Sequence, residues 1–176
     1  MNSSLRINKW IGFILLFTSV CISWRCGIYS LTGAAITGKT INIRTLENRA
    51  PGAAPTLTTV MTDKLRNRIL SQTGLAAVNN EEADYDMKGV IISYQQSNSG
   101  ISTNNGVPQT SLNRLSITVE VNFTNRKEEK SSFKQSFTRF ADFEATKLLQ
   151  SEEARLIEEI SNQIADDIFN KAFVNW

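Results

Sequence analysis

The chain has 176 residues, with 19 Lys or Arg against 17 Asp or Glu, two cysteines and no histidine. That length suits one domain around a single core, and the missing histidine removes both the commonest neutral-pH general base and the usual Ser-His-Asp triad. The basic excess sits in the first 25 residues: without Arg6, Lys9 and Arg25 there are 16 basic against 17 acidic residues, too little positive charge for a nucleic-acid partner.

MNSSLRINKW followed by IGFILLFTSVCI is a basic start and an apolar run of about a dozen residues, the layout of a secretory signal peptide spanning 1–25. A permanent span needs roughly 20 apolar residues, and Ser23 and Arg25 interrupt this run first. Cys26 comes next, in ISWRCGIYSLTGA. Cys21 lies in the discarded segment, so the exported portion has no second cysteine for an internal disulfide. A lone cysteine at the front of an exported domain fits lipid attachment, with plain secretion or an uncleaved anchor as alternatives. Arg25 stands where a small residue normally precedes a lipidated cysteine, which bears on cleavage. Residues 26–38 carry three glycines and read as a tether, leaving 39–176 as a single domain.

KTINIRTL alternates, with Ile41 and Ile43 on one face, and reads as a first strand; ENRAPGAAP reads as a loop. From Thr56, the residues Leu57, Val60, Met61, Leu65 and Ile69 recur at helical spacing, and Gly74 supplies the left-handed stop. LAAV is a short strand, and YDMKGVIISYQQ a longer one in which Gly89 suggests a bulge. QQSNSGISTNNGVPQTSL, residues 95–112, lacks an apolar period and reads as a mobile hairpin loop. Leu115, Ile117, Val119, Val121 and Phe123 then alternate with polar residues, the clearest strand in the chain.

The turn NRKEEK joins that strand to SSFKQSFTRF, where Phe133 and Phe137 share a face; Phe140 has the other parity, which suggests a bulge or strand end before it. A second helix of about twenty residues is expected from an N-cap at Ser151, with its apolar stripe running from Leu156 to Phe169. Two amphipathic helices and a half-wet meander fit one arrangement: an α+β two-layer sandwich, with a mixed four- to five-stranded sheet and both helices on its dry face.

Chemistry is sparse. The pairs Glu158/Glu159 and Asp166/Asp167 fall on the outward side of the last helix and read as a solvated face; Glu81, Glu82, Asp84 and Asp86 lack the ligand spacing and glycine of a calcium loop. There is no G-x-S-x-G elbow and no phosphate loop. The expectation is a non-enzyme without cofactor or metal. Arg126, Lys127, Lys130 and Lys134 cluster near the hairpin turn, and Lys64, Arg66 and Arg68 mark the first helix. Either group is ordinary surface charge or a contact for an anionic lipid head group.

CGIYSLTGA, SLNRLSITVEVNFTNRKEEKSSFKQSFTRFADF and LIEEISNQIADDIFNKAFVNW together resemble the LPS-assembly lipoprotein family, LptE, in the form with a CGxYSxTGA start. The resemblance spans Cys26 to Trp176. It implies a lipoprotein at the periplasmic face of the outer membrane, lipidated at Cys26, that plugs the LptD β-barrel and with it delivers lipopolysaccharide to the outer leaflet. The family's lipopolysaccharide-contacting residues have no clear counterpart here, so Arg114, Arg126, Lys127 and Lys130 are candidates for lipopolysaccharide or barrel contact by loop position alone. The competing class is a free-standing exported binding module for a small molecule or another periplasmic protein.

Overall fold

The computed structural model describes residues 36–104 and 107–174, with side chains described outside 101–111. The leader, Cys26 and Trp176 lie outside the described residues. The elements are β1 (Thr40–Ile43), β2 (Glu47–Asn48), α1 (Leu57–Thr73), β3 (Ala76–Ala77), β4 (Tyr85–Asn104), β5 (Val107–Asn125), β6 (Phe133–Glu144) and α2 (Leu149–Phe173).

The sheet is ordered β3-β1-β4-β5-β6. β1 pairs in parallel with β3 on one side and with β4 on the other, and β2 continues along the same edge of β4. β4, β5 and β6 form an antiparallel meander. This is the expected mixed α+β sandwich, a five-stranded path extended by β2.

The patterns that defined the elements also define the core. Leu115, Ile117, Val119, Val121 and Phe123 are fully buried along one face of β5, with Phe137, Ala141 and Phe143 beside them on β6. Leu57, Met61, Leu65 and Ile69 of α1, and Leu156, Ile160, Ile164 and Ile168 of α2, close over that face. Burial of each large side chain contributes about 1.5–3 kcal/mol before entropy is charged against it. Gly74, with φ 67°, ends α1 as its position suggested. Phe173 packs edge-on to both Tyr85 and Phe123, so the last turn of α2 belongs to the core.

Four local expectations change. Residues 95–104 and 107–112 are strand, extending the β4–β5 hairpin. Residues 95–99 are exposed whichever face they take, so no core side imposes an apolar period and backbone pairing alone keeps the segment extended. The first register shift lies at Ile92, between the pairs Ile91↔Val119 and Ser93↔Thr118, and it switches the core-facing parity of β4 from odd to even; two more follow between Asn98 and Ile101.

Gly89 is regular strand. A Cβ there would lie 2.9 Å from Leu46 Cγ, so the glycine admits the buried Leu46 side chain against β4. Gly89→Ala is therefore expected to destabilise by about 1–3 kcal/mol through overpacking, and less when combined with Leu46→Ala, as measured in a urea double-mutant cycle.

Phe140 needs no bulge either, since β5 and β6 pair without a register shift from Phe133 to Glu144. Its ring points to the open face and is half exposed. Helix α2 begins at Leu149, before the expected cap: the turn Lys147 N–H to Glu144 O brings the chain round, and Ser151 Oγ donates to Leu148 O from inside the first turn. The helix runs 25 residues.

Candidate interface residues

The helices pack on one face of the sheet, and among the described residues no element covers the other. The register places Lys88, Asn122 and Lys134 in one row across β4, β5 and β6, then Val90, Glu120 and Ser136, and further along Gln95, Ser116 and Phe140. It is a surface of hydroxyls, amides and paired charges. Lys134 reaches Glu120 at 3.0 Å, and the Thr118 and Thr138 hydroxyls share a hydrogen bond of 2.9 Å.

Arg114 lies on this face, in the middle of β5 and not in a loop as expected, because the 95–112 segment before it is strand. Asp142 stands directly opposite on β6 and accepts from Arg114 Nε at 2.7 Å and Nη2 at 2.9 Å. The guanidinium also stacks over Phe140, 3.6 Å from the ring centroid. Hydrogen bonding to Asp142 raises the Arg114 pKa, and the same bond lowers that of Asp142. Ser99 Oγ adds a bond to Asp142 at 3.2 Å. The result is a neutral, flat polar–aromatic patch, with Ile92 and Leu112 as further apolar exposures.

Arg126, Lys127 and Lys130 sit at the β5–β6 turn, about 40 Å along β5 from Arg114 by strand rise, so the four candidates do not form one site. Asn125 Oδ1 shapes the turn by accepting from the Lys127 and Glu128 amides, each at 2.9 Å. Lys127 Nζ is committed to Asp84 at 2.9 Å, which raises its pKa. Arg126 Nη2 donates to Glu81 O at 2.6 Å. Lys130, in a short 3-10 turn at Glu129–Ser131, is exposed and has no carboxylate partner among the described residues.

Asp84 is the hub of this end. Besides Lys127 it accepts from the Lys39 amide at 2.7 Å, the Thr40 amide at 3.1 Å and Thr40 Oγ1 at 3.2 Å, fastening the entry to β1 beside the turn. The Lys127 bond is the largest influence in holding its carboxyl well below the ordinary range. A depressed folded-state pKa contributes stability above the unfolded value, near 4, that fades as pH falls toward the folded one. Asp84→Asn is accordingly expected to unfold more readily than the parent at pH 7 by thermal melting, with the difference shrinking below about pH 4. A difference that stays constant down to pH 2 would contradict the ionic account.

Several other charges also have partners. Lys64 bonds Glu158, Arg68 Nε lies 2.9 Å from Asp166, and Arg139 forks onto Asp167 at 2.5 and 2.6 Å. The acidic pairs of α2 lie mostly exposed, as a solvated face should, yet three of their members also reach neighbouring elements, Glu158 and Asp166 to α1 and Asp167 to β6, while Glu159 pairs with Arg155 of its own helix. Both contacts with α1 climb the two helices in the same direction, so α1 and α2 run parallel. Arg66 is likewise no free cation, since it donates to Ile43 O at 3.2 Å.

A cleft of about 560 Å³ at the carboxyl ends of β1 and β3 is lined by Asn42, Arg44, Arg66, Asn79 and Glu81 among others, and sequence reasoning did not anticipate it. Its Arg44 is held by Glu81 at 2.8 Å and Asp86 at 3.4 Å. Among the described residues, no three Cys, Asp or Glu side chains are grouped to hold a metal, and no helix is long and apolar enough to cross a membrane.

Among solved structures, a hypothetical protein of Chlamydia trachomatis matches with TM-score 0.51 at 10% identity, covering 78% of this chain and 98% of that one. A minor lipoprotein of Acinetobacter baumannii matches at 0.48 and 16% over 76% and 91% of the two chains, and the rare lipoprotein B of Shewanella oneidensis at 0.43 and 18% over 74% and 91%. At 10% identity the first of these likenesses speaks to fold alone. No curated protein matches the sequence. The family model described as LptE, lipopolysaccharide-assembly, matches residues 38–172, nearly all of the folded domain, and the chain belongs to that family.

Proposed function

We propose that the protein is an outer-membrane lipoprotein, anchored at its periplasmic face through Cys26, that serves as plug and assembly partner of an LptD-like β-barrel in moving lipopolysaccharide to the outer leaflet. Family membership supports the assembly role. The observation that carries the plug reading is the open sheet face. Large outer-membrane barrels have a polar lumen, and this face offers Thr, Ser, Asn and Gln side chains with most of its charges already neutralised in place. Such a wall enters a wet lumen without stranding an ion, and it binds through many hydrogen bonds spread over a broad area.

Of the candidate contacts, Arg126 and Lys130 are best placed for lipopolysaccharide phosphates, because neither has a carboxylate partner among the described residues. Arg114 and Lys127 would have to leave Asp142 and Asp84 first. On this reading Arg114 is a barrel-wall contact and Lys127 a brace for the turn. Nothing in the role requires bond-making chemistry.

Co-expression of the tagged chain with the barrel, extraction in mild detergent and affinity purification test the proposal. A stoichiometric complex is expected. Recovery of a barrel-free monomer under those conditions would favour the free-standing binding module.

A further inference from the structure

The two edges of the sheet differ. The side opposite β6 is stepped, with two-residue β3 and β2 followed by the far half of β4, whereas β6 presents one straight run of twelve residues without proline or bulge. Among the described residues, no donor or acceptor reaches the outward backbone groups of Phe133–Phe143. Charged side chains commonly guard such an edge. Here they are tied back, Lys134 to Glu120 and Arg139 to Asp167.

Beside this edge runs a trough of about 460 Å³, with Gln135–Arg139 on the strand side and Asp167, Asn170 and Lys171 on the α2 side. Lys171 is exposed, lies 5.8 Å over the Phe133 ring and has no carboxylate partner among the described residues. With Arg139 and Asp167 cancelling, the trough carries one uncompensated positive charge.

We propose that β6 accepts an extended segment of a partner protein as an added strand, with an acidic side chain of that segment lying in the trough against Lys171. An unpaired edge supplies main-chain hydrogen bonds, and a strand–helix groove reads alternate side chains of the guest. The inference does not depend on the barrel partnership.

The test uses the full chain and two labelled, capped octapeptides, SVTVETVS and SVTVKTVS, followed by fluorescence anisotropy and hydrogen exchange. In the free protein, the outward amides of β6 are expected to exchange freely. The glutamate peptide is expected to bind more tightly and to slow exchange in 133–144 and at the end of α2. Lys171→Glu should reverse the preference, moving the ratio of the two affinities about tenfold or more, since one attraction becomes a repulsion. Lys171→Gln should make the peptides equal, with circular dichroism confirming that both variants fold.

Equal binding of the two peptides by the parent chain, or an unchanged ratio in Lys171→Glu, overturns the acidic-strand assignment. Protection of β6 that grows with protein concentration in the absence of peptide overturns it in favour of a second copy.

Discussion

Phe123→Ala is expected to destabilise the domain by about 3–5 kcal/mol and to lower the melting temperature by roughly ten degrees. Phe123 is fully buried at the point where three layers of contact meet. Its ring lies nearly parallel to Tyr85 at 5.8 Å, tilts against Phe133 at 5.3 Å and meets the edge of Phe173 at 5.5 Å. Those neighbours come from β4, β6 and the last turn of α2, so truncation opens a cavity that no single element can relax to fill.

Phe140→Ala is the control. That ring belongs to the same hairpin but is half exposed and contacts Arg114 on the open face, so its loss should cost about 1 kcal/mol or less. Urea unfolding of both variants, with the slope m compared to the parent, separates the two. A Phe123→Ala cost near that of Phe140→Ala would mean that the aromatic cluster does not join the layers.

The contrast between these two phenylalanines also marks how far the sequence could be read. Where one face is dry and the other wet, the period of apolar residues is a physical record of burial, and β5 with its five alternating core residues could be read without structure. The same holds for α1 between Leu57 and Ile69. Residues 95–99 leave no such record: they are exposed whichever face they take, and polar composition looks identical in a loop and in a strand exposed on both sides.

Gly89 misled for a related reason. A missing side chain in a strand marks either a bulge or a close approach, and only the position of Leu46 decides between them. The interface candidates suffered most, because a basic residue is free or committed according to partners far along the chain. Asp84 and Lys127 are 43 positions apart, and Lys64 and Glu158 are 94. In hindsight the acidic pairs of α2 carried a usable signal: they flank its apolar stripe, where a neighbouring helix must present its own flanks, and α1 has Lys64 and Arg68 at those positions.

The largest functional effect is expected at Cys26. If this residue carries the proposed lipid, Cys26→Ser abolishes incorporation of radioactive palmitate and moves the protein from the membrane fraction to the soluble periplasmic one, while the domain still folds. The folding expectation follows from the core, whose described members begin at Ile36 and draw nothing from a disulfide. The release expectation follows from lipid energetics: each buried methylene is worth about 0.8 kcal/mol, one chain alone holds only reversibly, and the diacylglyceryl group of a lipoprotein supplies two.

Anchoring also sets the effective concentration of the domain at its partner, which a tether of this length raises toward the millimolar range. The soluble variant should therefore still bind a barrel when overproduced, yet fail at native abundance. Arg25 sharpens the test, because a bulky cation next to the scissile bond should slow cleavage. Arg25→Ala is expected to raise the mature fraction in a pulse-chase gel without changing where the mature protein resides. Equal palmitate labelling of the parent and Cys26→Ser would remove Cys26 as the anchor and leave the uncleaved leader as the membrane attachment.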